Sequence, residues 1–69
     1  MEKLTFTQYN VLRFIKAHAN KNGFPPTRAE IAKHFGWASV NGAQQHLIYI
    51  QKKGHIKIIP GISRGIRFL

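Results

Sequence analysis

Residues 27–54, TRAEIAKHFGWASVNGAQQHLIYIQKKG, contain the pattern that decides the fold. Thr27 and Glu30 have the spacing of a capping box, in which each side chain bonds the other residue's backbone N–H, so a helix is predicted to begin here. Gly36 is expected to end that helix, because glycine readily adopts the left-handed conformation of a C-terminal cap. Ser39 is then a favoured N-cap for a second helix. Two helices joined by so short a turn indicate a helix-turn-helix.

The second of these helices combines an apolar face with a face rich in side-chain amides. At about 100° per residue, Ala43, Leu47 and Ile50 fall within a narrow arc that is predicted to face the core. Asn41 and Gln45 lie nearly opposite that arc, and Gln44 lies to one side. Such amides can both donate to and accept from base edges in the major groove, which is wide enough to admit a helix. This helix is therefore the predicted recognition helix, residues 39–53.

The segment before residue 27 predicts a first helix over about residues 7–22. Either Thr5 paired with Gln8, or Thr7 alone, begins it. Two consecutive prolines follow and fix the direction in which the chain enters the next helix. Phe24, which comes just before them, is expected to fill the core.

The segment after residue 54 changes its apolar period from 3.6 to 2, which predicts strands at about residues 55–59 and 65–69. The turn PGISR between them makes the pair a β-hairpin. With helices at about 7–22, 28–35 and 40–53, the chain is predicted to be one α+β, mainly α, domain over residues 1–69. Three helices followed by a two-stranded β-hairpin wing define a winged helix-turn-helix.

The charge of the chain indicates a polyanionic partner. Eleven Lys and Arg residues oppose two acids, Glu2 and Glu30, which gives a formal charge of +9, and 43% hydrophobic residues are enough for a folded domain. Nucleic acid is favoured over a membrane surface, and the alternative is a basic surface that only maintains solubility. The best candidates for phosphate contacts lie at helix ends or on the wing: Arg28, Lys52, Lys53, Arg64 and Arg67.

The composition argues against an enzyme or a metal site. No cysteine is present, so disulfides and thiolate ligands are excluded. The four histidines lack ligand spacing such as HxxH, and two acids do not supply a convincing catalytic carboxylate pair. We therefore expect a chain that is not an enzyme and binds no metal or other cofactor. It has no run of 18 apolar residues and no signal-peptide pattern, so we expect no membrane partner and a cytoplasmic location.

Four strings resemble the N-terminal DNA-binding domain of the LexA family of bacterial SOS-response repressors: GFPPTRAEIAKHFG, ASVNGAQQHL, KKGHI and ISRGIRFL. The resemblance implies a protein that binds a palindromic double-stranded DNA operator as a homodimer. It also implies repression of DNA-damage and DNA-repair genes until RecA filaments provoke self-cleavage. By resemblance, base reading would fall on Ser39, Asn41, Gly42, Gln44 and Gln45. With the wing and the helix cap added, the predicted phosphate and wing contacts are Thr27, Arg28, Lys52, Lys53, Gly61, Ser63, Arg64 and Arg67.

The chain departs from the family pattern in two respects. Many members carry acidic residues in place of Gln44 and Gln45, and alanine in place of Gly42. A carboxylate only accepts, for example from cytosine N4, whereas an amide also donates, so the operator is expected to differ from the CTGT-type half-site. The family's linker and Ser/Lys self-cleaving domain, the main source of its dimer and RecA contacts, would lie beyond residue 69. We expect a fragment of a longer protein in preference to a small stand-alone relative.

Three alternatives remain open at the level of the sequence. They are a phage or mobile-element repressor with a different operator, a winged-helix module that binds protein, and an RNA-binding domain. The charge and the amide-rich helix disfavour the protein-binding module. The RNA-binding domain is disfavoured because the chain lacks the aromatic platform of the common RNA-binding modules.

Overall fold

The computed structural model describes residues 3–69, and it confirms the predicted fold class. Three helices come first in the chain: α1 spans Phe6–Asn22, α2 spans Arg28–Phe35 and α3 spans Val40–Lys52. Two short strands follow, β1 over Ile56–Ile58 and β2 over Ile66–Phe68, and they pair in antiparallel orientation. The result is a mainly helical winged helix-turn-helix.

Capping boxes begin the first two helices. The Thr5 hydroxyl accepts from the Gln8 backbone N–H at 3.2 Å, and Gln8 Oε1 accepts from the Thr5 N–H at 3.1 Å, so Thr5 and not Thr7 begins α1. Thr27 and Glu30 make the equivalent pair of bonds at 3.1 and 2.8 Å at the start of α2. Each box satisfies backbone donors that have no partner inside the helix.

The ends of α3 and of the strands differ from the sequence prediction. Ser39 is the N-cap residue of α3, but its side chain makes no capping hydrogen bond. The helix ends at Lys52, one residue before the predicted end, with Lys53 as its C-cap. Each strand is three residues long, shorter than predicted. The pairing nevertheless extends beyond the strands, since Leu69 N–H donates to His55 O at 3.2 Å.

The core lies where the three helices meet the hairpin. Its members are wholly or almost wholly buried: Val11, Leu12, Ile15, Ile31, Ala32, Ala43, Leu47, Ile50 and Ile56. Phe24 is not among them, because 45% of its surface is exposed, so its prediction as a core residue was wrong. Pro26, two residues later, is fully buried instead. The connector therefore places a proline in the core and leaves the preceding aromatic ring at the surface.

The hairpin register pairs Ile56 with Phe68, Lys57 with Arg67, and Ile58 with Ile66. Because successive side chains on a strand point to opposite faces, the apolar pairs share the face that packs on the helices. Lys57 and Arg67 are both exposed and lie directly opposite each other on the other face. The wing therefore has a cationic outer surface.

Within residues 3–69, no helix combines the length and the apolar character that crossing a lipid bilayer requires.

Candidate nucleic-acid interface

The outward face of α3 presents polar side chains to solvent. Asn41, Gln45 and Lys52 are exposed, whereas Ala43 and Leu47 are fully buried on the opposite side of the same helix. Asn41 and Gln45 are one turn apart and are neighbours on the helix surface. Core packing thus fixes the rotation of α3 so that two amides and a cation face outward together.

Gln44 lies beside this face and has a partner on α2. It is half-buried, and its Oε1 atom accepts a hydrogen bond from Nε of Arg28, the first residue of α2. The two residues are 16 positions apart in sequence, so the contact exists only in the folded helix-turn-helix. A predicted base-reading residue and a predicted phosphate-contact residue are therefore directly bonded to each other.

Aromatic rings fill the turn between α2 and α3. Trp37 stacks on Phe35 at 5.0 Å between ring centroids and on His46 at 4.6 Å. His46 Nδ1 lies 2.8 Å from Gly42 O, within hydrogen-bond distance. A Cβ atom added at Gly42 would lie 3.5 Å from the Trp37 ring, an ordinary contact, so the turn does not require glycine here. Ser39, at the exposed start of α3, has a hydroxyl that is not used as a helix cap.

Lys52 and Lys53, both predicted to contact phosphate, have different surroundings. Lys52 is exposed at the end of the outward face of α3. Lys53 is half-buried, and its Nζ donates to Gln8 Oε1 at 2.7 Å. The same oxygen accepts from the Thr5 N–H in the cap of α1. Lys53 therefore joins the end of α3 to the start of α1, and its ammonium is directed into the chain.

Arg64 was predicted as a wing residue that contacts phosphate, but its guanidinium is engaged within the chain. It forms a bidentate pair with Glu30, with N–O distances of 2.7 and 3.2 Å, and donates to Pro25 O at 3.0 Å. It also lies 4.4 Å from the centre of the Phe24 ring. These contacts join the wing turn to the N-terminus of α2. They could not be predicted from the sequence pattern, because Arg64 and Glu30 are 34 residues apart.

The contact with Arg64 changes the acidity of Glu30. The pKa of Glu30 is lowered from 4.5 to about 2, mainly by the hydrogen bonds from Arg64 and, second, by the hydrogen bond from the Thr27 backbone N–H. Both groups favour the carboxylate over the neutral acid. Thr27, proposed from sequence as a phosphate contact, thus serves here as the cap of α2.

The tip of the wing is exposed to solvent. Gly61 has a φ of 76° and, like Ser63, is exposed, and Ile62 between them is 55% exposed, so the turn presents backbone, a hydroxyl and an apolar side chain. Gly65, at the base of the turn, is buried, and a Cβ atom there would lie 2.5 Å from Ile59 O. Only glycine fits at that position. Arg67 lies beside this turn on the outer face of β2 and is exposed.

Sequence reasoning missed Tyr49 as a candidate contact. Its side chain is 51% exposed, and it lies one helical turn after Gln45 on α3. Its phenol can both donate and accept a hydrogen bond. The helical wheel contained the signal, because residue 49 falls on the same side as residue 45. Ile48 is half-buried on the other flank of the face.

Among residues 3–69, no cluster of three or more His, Cys, Asp or Glu side chains has the proximity needed to hold a metal ion. The groups assembled on α3 and the wing are instead amides, hydroxyls and cations. Such groups form hydrogen bonds with base edges and pair with phosphates.

The chain is similar to a set of bacterial proteins of one kind. The model of the LexA DNA binding domain family matches residues 1–65. The LexA repressor of Aeromonas hydrophila is 55% identical over 69 residues, which is all of this chain. The LexA repressor of Saccharophagus degradans is 52% identical over 97% of the chain, and that of Haemophilus influenzae is 51% identical over all of it. The chain spans about a third of the length of these relatives, 33% in each case.

Proposed function

The chain belongs to the LexA DNA-binding domain family, and on that basis we propose that it binds double-stranded DNA sequence-specifically as the operator-reading part of a transcriptional repressor. The observation that supports this most directly is the outward face of α3, where Asn41, Gln45 and Lys52 are exposed together. A helix that presents amides at its N-terminal half is the usual reader of the major groove in helix-turn-helix proteins. The net charge of +9 supplies the attraction to the phosphate backbone.

We propose that base reading falls on the first two turns of α3. Asn41 and Gln45 would bond base edges from the centre of the face, and Gln44 from its flank. Ser39 and Gly42 would lie nearest the DNA at the start of the helix, where backbone N–H groups also favour phosphate. Tyr49 extends the same surface by one turn.

Phosphate contacts are proposed for the exposed cations and the wing tip. Lys52, Arg67 and the free donors of Arg28 are suited to this role, together with Gly61 and Ser63 at the wing. Lys53, Arg64 and Thr27 have their polar groups engaged within the chain, so we propose that they position the helices and the wing. Phosphate contacts fix the register of the protein on DNA without selecting sequence.

Two copies are proposed to bind one palindromic operator. A single domain of this size makes few base contacts, and coupling two half-sites raises affinity through a high effective concentration. From the family resemblance we propose that the control of SOS genes, the response to RecA and the main dimer contacts require a longer protein, since the chain spans 33% of the length of its relatives. Repression requires only that the promoter be occupied, so we propose no catalytic role for this chain and place it with the bacterial nucleoid in the cytoplasm.

Selection from a randomised duplex pool, followed by titration of the enriched sequences against salt, tests this function. We expect a palindrome or its half-site to be enriched, with affinity that falls steeply as salt increases because counterions are released on binding. Salt-sensitive binding with no enriched sequence would contradict sequence-specific recognition. No binding even at low salt would contradict a DNA function and favour a protein partner.

A further inference from the structure

The hydrogen bond between Arg28 and Gln44 connects α2 to α3, the proposed recognition helix. Arg28 is the first residue of α2, and Gln44 lies in the second turn of α3 beside the exposed amide face. Nε of Arg28 donates to Oε1 of Gln44, and both residues are half-buried. The contact therefore restrains a side chain that is proposed to reach a base.

The chemistry of the pair determines which way the Gln44 amide faces. A guanidinium has five N–H donors and no acceptor, so only the carbonyl oxygen of an amide can face it. The NH₂ group of Gln44 is consequently turned away from Arg28. With its oxygen engaged, Gln44 has two donors available to a ligand.

A glutamine held in this way differs from a free glutamine at the surface of DNA. A free amide pairs with adenine by accepting from N6 and donating to N7 at the same time. In Gln44 the bond from Arg28 holds the oxygen on the side of α2, so the NH₂ group, which only donates, is the part of the amide turned away from Arg28. Guanine offers the acceptors O6 and N7 in the major groove, and thymine offers O4, whereas cytosine presents the N4 amino donor.

We propose that Arg28 is a positioning residue that orients the Gln44 amide so that its NH₂ group meets the base, which selects guanine or thymine over cytosine at the base it contacts. This inference rests on the proposed function, because it assumes that α3 lies in the major groove. It adds the chemical class of base at one operator position. It also gives Arg28 a role in specificity besides any contact of its remaining N–H groups with phosphate.

The test compares the base preferences of four forms of the 69-residue chain: the unchanged chain, Arg28→Met, Gln44→Met and the double variant. Methionine keeps an unbranched apolar stem on the helix and removes the donors. Gln44→Met identifies the operator position, because preference is lost there. At that position the unchanged chain should bind guanine or thymine about tenfold more tightly than cytosine, the size of one good polar contact.

Arg28→Met should reduce this preference to about twofold or less, because the Gln44 amide can then rotate and present its oxygen to an amino group. In the Gln44→Met background, Arg28→Met should leave base preference unchanged and lower affinity equally for all sequences. That difference separates a positioning role from a phosphate contact or a structural role, neither of which alters preference at one position. Arg28→Gln is the second variant, since its amide donates and accepts and so imposes no orientation on Gln44.

Thermal unfolding checks that each variant is folded before its preferences are compared. If the unchanged chain enriches an operator and both Arg28 variants retain its preference at the Gln44 position, the inference is wrong and the proposed function stands. The inference is also wrong if the unchanged chain prefers cytosine at that position. If the unchanged chain enriches no sequence, the proposed function fails, and the inference fails with it.

Discussion

At the scale of single residues, Lys52 and Lys53 show how neighbours of one type acquire different roles. Lys52 is exposed at the end of the α3 face, and Lys53 donates to Gln8 Oε1 at 2.7 Å. The helix turns by about 100° between them, which directs one ammonium to solvent and the other to α1. In the sequence both are lysines at the end of the same predicted helix, so they were equivalent candidates for phosphate contact.

Lys52→Ala and Lys53→Ala should therefore affect different quantities. Loss of Lys52 should weaken binding to every sequence and reduce the slope of log affinity against log salt by about 0.9, the contribution of one neutralised phosphate. Loss of Lys53 should leave that slope nearly unchanged and lower the free energy of unfolding by about 1 kcal/mol, the usual contribution of one hydrogen bond. Salt titrations and thermal unfolding of both variants make the comparison. Equal slopes for the two variants would contradict the assigned roles.

Glu30 gives the chain a pH-dependent link between α2 and the wing. Its pKa is about 2 in the folded chain and has the ordinary value of 4.5 when the contacts with Arg64 and Thr27 are absent. A carboxyl whose pKa is lowered by folding stabilises the folded state fully above the unfolded value of 4.5. That contribution is lost progressively as the pH falls from 4.5 towards 2.

Thermal unfolding between pH 7 and pH 2 measures this contribution, with Glu30→Gln as the control. The glutamine can still accept from the Thr27 N–H but has no charge to pair with Arg64. The unchanged chain should be more stable than the variant at pH 7, and the difference should shrink below pH 4.5. A difference that stays constant across this range would show that the carboxylate charge does not stabilise the fold.

At the level of the structural elements, the glycine at the start of α3 and the glycine at the wing turn differ in the space available for a side chain. Gly42 lies in the first turn of α3, and an added Cβ atom would make an ordinary 3.5 Å contact with Trp37. Gly65 lies at the base of the wing turn, where the same atom would lie 2.5 Å from Ile59 O and 2.9 Å from Ile62 O. The first position tolerates a side chain and the second does not.

Gly42→Ala should raise the free energy of unfolding by up to about 1 kcal/mol, because alanine loses less backbone entropy in a helix. Gly65→Ala is the matched substitution and should lower it, since the backbone must shift to admit the methyl group. Chemical denaturation of the two variants measures both effects. Destabilisation by Gly42→Ala would indicate that the space beside Trp37 is not available to a methyl group.

The sequence predicted the elements whose signals are local. The capping boxes at Thr5 and Thr27 join residues three positions apart, so their patterns are visible without the fold. The same holds for the change of apolar period at the wing. The exposed position of Phe24 was missed, because burial of Pro26 in its place depends on how α1 and α2 pack.

The candidate site was less predictable, because its side chains are positioned by contacts between distant residues. The pairs Arg28–Gln44, Gln8–Lys53 and Glu30–Arg64 join positions 16, 45 and 34 residues apart. Each pair engages a cation that its position at a helix end or on the wing had made a candidate for phosphate contact. The exposed amides of α3 were easier to find, since they follow from helical periodicity alone.

At the level of the whole molecule, the net charge and the exposed face of α3 have different roles in binding. The net charge of +9 attracts any nucleic acid, and this attraction weakens with salt. Discrimination between sequences must come from groups that reach base edges, and the structure exposes such groups together on α3. We therefore propose that the outward face of α3 determines sequence preference.

The Asn41→Ala variant tests this role of α3 when its base preference is measured at every position of the selected operator. We expect a loss of about 1–3 kcal/mol in binding free energy and relaxed preference at one base position, with the salt slope unchanged. Asn20→Ala removes an exposed amide from α1 and should leave the profile unchanged. If Asn41→Ala weakened binding to all sequences equally, or left the profile intact, the outward face of α3 would not determine sequence preference.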